Sequence, residues 1–291
     1  MAAQGYGSDL SGIDIALYTG GTTSASSRDA LFEMFLWMNA SVVILSAASI
    51  RAGVLRDYDL LVVPGGDASE YNDALGYSGL TEIRSFIEGG AFFGVCAGAY
   101  FACDQILWED SLIEYSLDLF DGRGTGAIDA IAEWPNYDMC VIDINRSSTA
   151  IDLSDEPDNH TVMYFGGPYF TMNDSSGIEV LARYRVNDNP AMIAFEYEAG
   201  RVFLSGPHPE WEEDSDRDGQ AWPDGFDDLG SEWDMMLTIS LWLTEIPSQT
   251  SSTTPTASAL PTSEMLGIVL IGVGAFGVIV TLAYIIKNRK Y

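Results

Sequence analysis

Three residues of this chain have the type and setting for nucleophilic chemistry: Cys96, His208 and Glu210. Cys96 stands in Gly94-Val95-Cys96-Ala97-Gly98-Ala99, after the apolar run Ala91 to Val95 and before a short helical stretch, Ala97 to Cys103. A cysteine between glycines at a strand-to-helix junction reads as a nucleophile elbow. The strand ends, the chain reverses, and the side chain is held at the carboxyl edge of the sheet. Backbone N–H groups at the start of a helix favour a thiolate and can hold an oxyanion. The competing reading is an inert core cysteine, since free thiols are among the most buried side chains.

A cysteine nucleophile needs a base and a group to orient that base. The chain has two histidines. His208 follows an apolar strand in Gly206-Pro207-His208-Pro209-Glu210, where flanking prolines stiffen the segment. Residues two apart in extended chain point the same way, so a small kink lets Glu210 reach the imidazole and fix its tautomer. His160 lies in the polar stretch Asp155 to His160 and reads as a solvated loop residue.

The elements that must position these groups follow from hydrophobic patterning. Strands are expected at Ile13–Tyr18, Ser41–Leu45, Leu60–Val63 and Ala91–Val95, with helices at Arg28–Met38 and Leu80–Glu88 between them. This alternation predicts a parallel, doubly wound α/β sheet whose ligands bind beyond the carboxyl ends of the strands. The glycine turns at Gly20-Gly21 and Gly65-Gly66 fall at that edge with the Cys96 elbow. Asp67, Tyr71, Tyr100 and Tyr169 are candidate substrate-binding residues from their positions near the strand ends. Further strands are expected at 138–144, 161–165, 178–185, 191–197 and 201–204, partly antiparallel, and a closing helix at 232–243.

The 291 residues carry a formal net charge of −30, and Lys287 and Lys290 are the only lysines. Nothing here would neutralise phosphates in number, so nucleic acid is excluded as an expected partner. Three cysteines form neither a disulfide scaffold nor a zinc pattern. Cys103 and Cys140 read as core residues; in an oxidising compartment they are the pair available for a disulfide.

The C-terminal part changes character. Residues 247–264 contain 13 Ser, Thr or Pro among 18 and read as an extended stalk. Residues 265–286 form an uncharged run of 22, expected to be a transmembrane helix, and 287–291 a basic tail. The positive-inside rule places that tail in the cytoplasm and the large domain, residues 1–246, outside. The sequons at Asn39, Asn145, Asn159 and Asn173 agree, whereas Met1 to Gly12 lacks the apolar core of a signal peptide. A single-pass membrane protein is the expectation, with its protein partners unspecified.

Asp214, Asp216 and Asp218 have the alternate spacing of the first half of a calcium loop, with Gly219 for the turn. The twelfth position is Gly225 instead of glutamate, and a solvated acidic loop is the competing reading. No cofactor is required, and structural calcium is the one candidate.

The Cys96 elbow together with His208-Pro209-Glu210 resembles the class I glutamine amidotransferase-like superfamily. Val63-Pro64-Gly65-Gly66-Asp67, Gly90 to Tyr100 and Tyr164-Phe165-Gly166-Gly167-Pro168-Tyr169-Phe170 more narrowly resemble the domain at the N-terminus of eukaryotic biotin–protein ligases and its stand-alone relatives. The resemblance spans about residues 13–245 and implies a flavodoxin-like three-layer sandwich with a mostly parallel sheet. It implies Cys96 as nucleophile, His208 as base and acid, Glu210 as orienter, and the backbone N–H groups of Gly66 and Ala97 as an oxyanion hole. The implied reaction is thiolate attack on a small amide or peptide, through a thioester. Ala97-Gly98-Ala99-Tyr100 departs from the Leu-Gly-x-Gln that follows the cysteine in glutaminases, and neither a synthetase nor a ligase catalytic domain is present. The alternative is a binding or scaffold module that keeps the fold without turnover.

Overall fold

Leu60 to Val63 sets the architecture. Four consecutive apolar residues suit a strand covered on both faces, and all four are buried. Leu60 and Val62 join one core cluster with Leu31, Phe35, Phe93 and Trp233. Leu61 and Val63 join a second with Leu75, Ile83, Phe92 and Phe101. In the computed structural model, which describes residues 9–114, 117–212, 216–226 and 230–245, this strand lies inside a large sheet with helices on each face. The described residues all fall within the first of the chain's two units, Met1–Ile246.

The strands are β1 (Asp14–Thr19), β2 (Ser41–Ser46), β3 (Leu60–Val63), β4 (Ala91–Val95), β5 (Cys103–Trp108), β6 (Ser111–Glu114), β7 (Phe120–Gly126), β8 (Asp138–Ile144), β9 (Asn159–Tyr164), β10 (Tyr169–Met172), β11 (Ile178–Tyr184), β12 (Pro190–Tyr197) and β13 (Gly200–Ser205). The helices are α1 (Ala25–Trp37), α2 (Ala47–Arg51), α3 (Ala68–Ile87), α4 (Ala97–Ala102) and α5 (Trp233–Thr244). The large sheet runs β2-β1-β3-β4-β13-β12-β11-β8-β9, and a second sheet runs β10-β7-β5-β6.

The α/β class holds, but the sheet is not mostly parallel. The ladders from β2 to β13 are parallel, and those from β13 to β9 are antiparallel. The reversal comes from two short connections, Glu198-Ala199 and Arg185 to Asn189, which leave no room for a crossover helix. Helix α3 begins twelve residues before the expected Leu80, capped by the Asp67 carboxylate on Ser69 N, and is interrupted at Gly76 (φ 55°, ψ −177°).

The transmembrane helix in the expected fold, and the localisation built on it, are corrected. Among the described residues no helix is long and apolar enough to cross a membrane. The longest, α3, has 20 residues but carries Glu70, Asp73, Glu82 and Arg84, incompatible with a hydrocarbon core. The run 265–286, the stalk 247–264 and the tail 287–291 lie outside the described residues.

His160 is not a solvated loop residue. It sits on β9 with Nδ1 3.1 Å from Glu232 and Nε2 3.1 Å from Glu156, tying β9 to the start of α5. Burial lowers its pKa, but hydrogen bonds and charge from both carboxylates raise it more strongly, to about 9. The folded value lies above the ordinary 6.5, so this clamp is complete below about pH 6.5 and is lost as pH rises through about 9. Melting wild type and His160→Gln side by side should give a stability gap that is widest near pH 6 and closes by pH 10. A gap independent of pH would show that the imidazole stays neutral.

Candidate active site

The elbow is built from close backbone approaches. Cys96 is held at φ 50°, ψ −106°, a strained conformation for a residue with a Cβ. Its N–H donates to Ser205 O at 2.9 Å, fixing the end of β4 against β13. A Cβ on Gly94 would lie 2.7 Å from Gly98 O, and one on Gly98 would overlap Val63 O. Only glycine at both positions lets β4, β3 and the start of α4 come this close.

The strand next to β4 delivers His208. β13 ends at Ser205, and the Gly206-Pro207 turn carries His208 back over the elbow, where its N–H donates to Met163 O at 2.9 Å. His208 Nδ1 lies 2.8 Å from Glu210 Oε1, and both side chains are buried. The other ring nitrogen, Nε2, faces the Cys96 side chain, whose charge bears on the imidazole, although the pair misses strict hydrogen-bond geometry. Such contacts are commonly loose before substrate arrives. Burial works to lower the His208 pKa, but the adjacent Glu210 and Cys96 outweigh it and push it up to about 10. The imidazole is therefore held protonated at neutral pH.

Two residues of this site were not found from sequence. Ser27, on α1, donates to Glu210 Oε1 at 2.6 Å and accepts from Gly65 N at 3.0 Å. It thereby joins the carboxylate to the Pro64-Gly65-Gly66 turn. Trp211 stacks on the His208 ring at 4.0 Å with a 16° interplanar angle. Ser27 had no signal, because 183 residues separate it from Glu210; Trp211, next to Glu210, is an aromatic beside a polar motif and could have been singled out.

The Gly65-Gly66 turn packs directly on these groups. A Cβ on Gly65 would stand 2.8 Å from His208 Cε1 and 3.6 Å from Cys96 Cβ. Gly65 O accepts from Ser24 N at 2.9 Å and from Tyr71 Oη at 2.7 Å. In a trans peptide the Gly66 N–H points the opposite way. Gly66 itself has φ 150°, and any Cβ there would collide with Tyr71 Oη. Ala97 opens α4, where the first N–H groups lack intrahelical partners.

The substrate-binding candidates divide. Tyr71 is fully buried and braces the Gly65 carbonyl, and Tyr100 is buried with its hydroxyl on Gly166 O at 3.1 Å. Neither presents a group to a ligand. Asp67 is exposed and uses its carboxylate on Ser69 as the cap of α3. Tyr169 is partly buried against the core. Phe165 instead meets the elbow: its carbonyl lies 3.5 Å from Cys96 Sγ. The next three carbonyls are each held by a tyrosine hydroxyl: Gly166 by Tyr100, Gly167 by Tyr164 at 2.9 Å, and Pro168 by Tyr184 at 3.0 Å.

Of the calcium candidates, Asp214 lies outside the described residues. Asp216 and Asp218 bound a single helical turn. The Asp218 carboxylate accepts from Glu212 N at 3.1 Å and Gln220 N at 2.8 Å, so it closes its own loop. Among the described residues no three His, Cys, Asp or Glu stand where they could hold a metal ion. All three cysteines are free and buried.

The family model of the biotin–protein ligase N-terminal region matches residues 13–228, an interval containing every residue of the site just described. The chain belongs to that family. An uncharacterized protein of Chlamydia muridarum is 35% identical over 162 residues, 52% of this chain and 60% of that protein. The biotin–protein ligase of Schizosaccharomyces pombe is 28% identical over 162 residues, 52% of this chain but 25% of the ligase. Pyridoxal 5′-phosphate synthase subunit PdxT of Koribacter versatilis is 28% identical over 156 residues, 54% of this chain and 70% of the subunit. The matched region thus spans 60% and 25% of the first two relatives' lengths. The amidotransferase-like family read from the Cys96 elbow and the His208-Pro209-Glu210 segment holds.

Proposed function

We propose that the domain is an amidotransferase-like cysteine hydrolase that cleaves a small amide or peptide through a thioester. The observation that carries this is the buried chain from Ser27 through Glu210 to His208, with a 2.6 Å and a 2.8 Å contact, set beside the strained Cys96 elbow.

Cys96 Sγ, its proton held by His208 Nε2, attacks the carbonyl carbon of the substrate. The carbonyl oxygen becomes an oxyanion facing the N–H groups of Gly66 and Ala97. His208 gives its proton to the leaving nitrogen, the C–N bond breaks, and an acyl–Cys96 thioester remains. The neutral imidazole then takes a proton from water, hydroxide attacks the thioester carbonyl, and the acid leaves as the thiolate re-forms and is paired again with His208. Glu210 keeps Nδ1 as the donor throughout, and Ser27 holds one oxygen of Glu210.

The test is to incubate the full chain with a panel of primary amides and short peptides, follow release of ammonia or amine, and search for an acyl adduct on the tryptic peptide carrying Cys96. Turnover with that adduct, both absent in Cys96→Ala, is the expected result. No release from any member of the panel and no adduct, with ligands still binding, would point to a module that holds its ligand without turnover.

A further inference from the structure

Phe165 contributes more than its carbonyl. Its ring stacks on Trp134 at 5.3 Å and 29°. Trp134 also meets Trp108 edge-on at 5.2 Å. Tyr137 meets Phe165 at 5.5 Å, and Trp222 and Phe226 lie behind Tyr137. Trp134 is pressed so close to the turn that a Cβ on Gly166 would lie 2.9 Å from its ring. Yet Trp134 remains 47% exposed and Tyr137 42%. A bare aromatic face of this kind beside polar surface marks a binding site. It begins at the residue whose carbonyl lies 3.5 Å from the Cys96 thiol.

We propose that the Trp134–Phe165 stack, flanked by Tyr137, is a subsite for an uncharged aromatic side chain on the amide substrate. The inference rests on reading Cys96 as the nucleophile. The rings favour an aromatic occupant, because offset and edge-on ring pairs gain beyond the area they bury. Charge selects against acids. The segment 127–138 that carries Trp134 and Tyr137 also carries exposed Asp129, Glu133 and Asp138 and has no lysine or arginine. From this segment a carboxylate-bearing substrate would meet like charge. The substrate class is therefore a capped or internal amide with a phenyl-type group near the scissile carbonyl.

The test uses alkylating reagents whose chloride is displaced by the Cys96 thiolate to leave a thioether. Rates with the full chain are measured for chloroacetamide, N-(2-phenylethyl)chloroacetamide and chloroacetate, each divided by its rate with a free thiol. The phenylethyl reagent should be favoured roughly tenfold over chloroacetamide, about what one well-placed ring pair contributes, and chloroacetate should be disfavoured. Trp134→Ala should remove the preference, and a cooperative melting transition shows that the variant is folded. Trp134→Phe should keep most of it. Equal corrected rates, or a preference that survives Trp134→Ala, would overturn the subsite. Should Cys96 resist every reagent, the hydrolase reading fails on its own. Calorimetric binding of N-acetylphenylalaninamide to Cys96→Ser then decides: saturable binding lost on adding Trp134→Ala upholds the subsite, and no binding overturns it.

Discussion

Replacing His208 by alanine is expected to slow alkylation of Cys96 by chloroacetamide at pH 7 by on the order of a hundredfold, the usual contribution of a positioned acid–base group. The imidazole is held protonated by Glu210 and lies against the thiol, with Nε2 otherwise without a partner. Without it, the thiol has to lose its proton to bulk water. Peptide mapping assigns the adduct, because Cys96 and Cys140 are buried to a similar degree, at 8% and 5% exposed, while burial pushes the Cys103 thiol pKa well up. Alanine also leaves a hole beneath Trp211, so His208→Gln should be run beside it. That variant fills the volume and should show the same loss, with a melting temperature lowered by the broken His208–Glu210 pair but a transition still cooperative. An alkylation rate unchanged in both variants would mean that the imidazole does not act on the thiol.

The second large effect is on stability. Glu210→Ala should cost about 3–5 kcal/mol, the range for removing one partner of a buried ion pair. Glu210 is fully buried, pairs with His208 and accepts from Ser27. Its loss strands a buried imidazolium and takes away the acceptor of the Ser27 hydroxyl proton. For a domain of this size the melting temperature should fall by roughly 10 °C. The sign with pH follows from His208. Its folded pKa is raised above 6.5, so the pair's contribution is complete at about pH 6.5 and fades as pH climbs to about 10. The difference between wild type and Glu210→Ala should therefore shrink between those limits. In Glu210→Ala/His208→Ala the two costs should be far from additive, since the second change removes the stranded charge. Additive costs would mean that the pair is not coupled.

The parallel half of the fold was legible because its signals are local. A run such as Leu60 to Val63 can only be covered on both faces, and the Gly94–Gly98 spacing states how closely strand and helix must approach. The second sheet was not legible, since β7 reads Phe-Asp-Gly-Arg-Gly-Thr-Gly and has almost no β propensity. Its glycines answer to a distant partner: a Cβ on Gly124 would meet Tyr100, and one on Gly126 would overlap the Tyr100 hydroxyl. The site divides in the same way. His208 and Glu210 lie two apart and were found together, whereas Ser27 and Trp134 reach the site only through the fold. Position near a strand end suggested Tyr71 and Tyr100 as substrate-binding residues, but it could not say which way their hydroxyls point, and both are turned onto backbone carbonyls.

The turn after β9 has three successive carbonyls, each fastened by a separate phenol. A surface connection is ordinarily the part of an enzyme that drifts, in sequence and in time. Here the wall facing the sulfur belongs mechanically to the core, since Tyr100, Tyr164 and Tyr184 are all buried. The site resembles a mould more than a glove. On the hydrolase reading proposed above, a substrate would meet a shape already set, with selectivity exercised at entry and not by closure around the guest. A new specificity is more readily reached by changing the exposed Trp134 and Tyr137 rings than by reshaping the turn beside them.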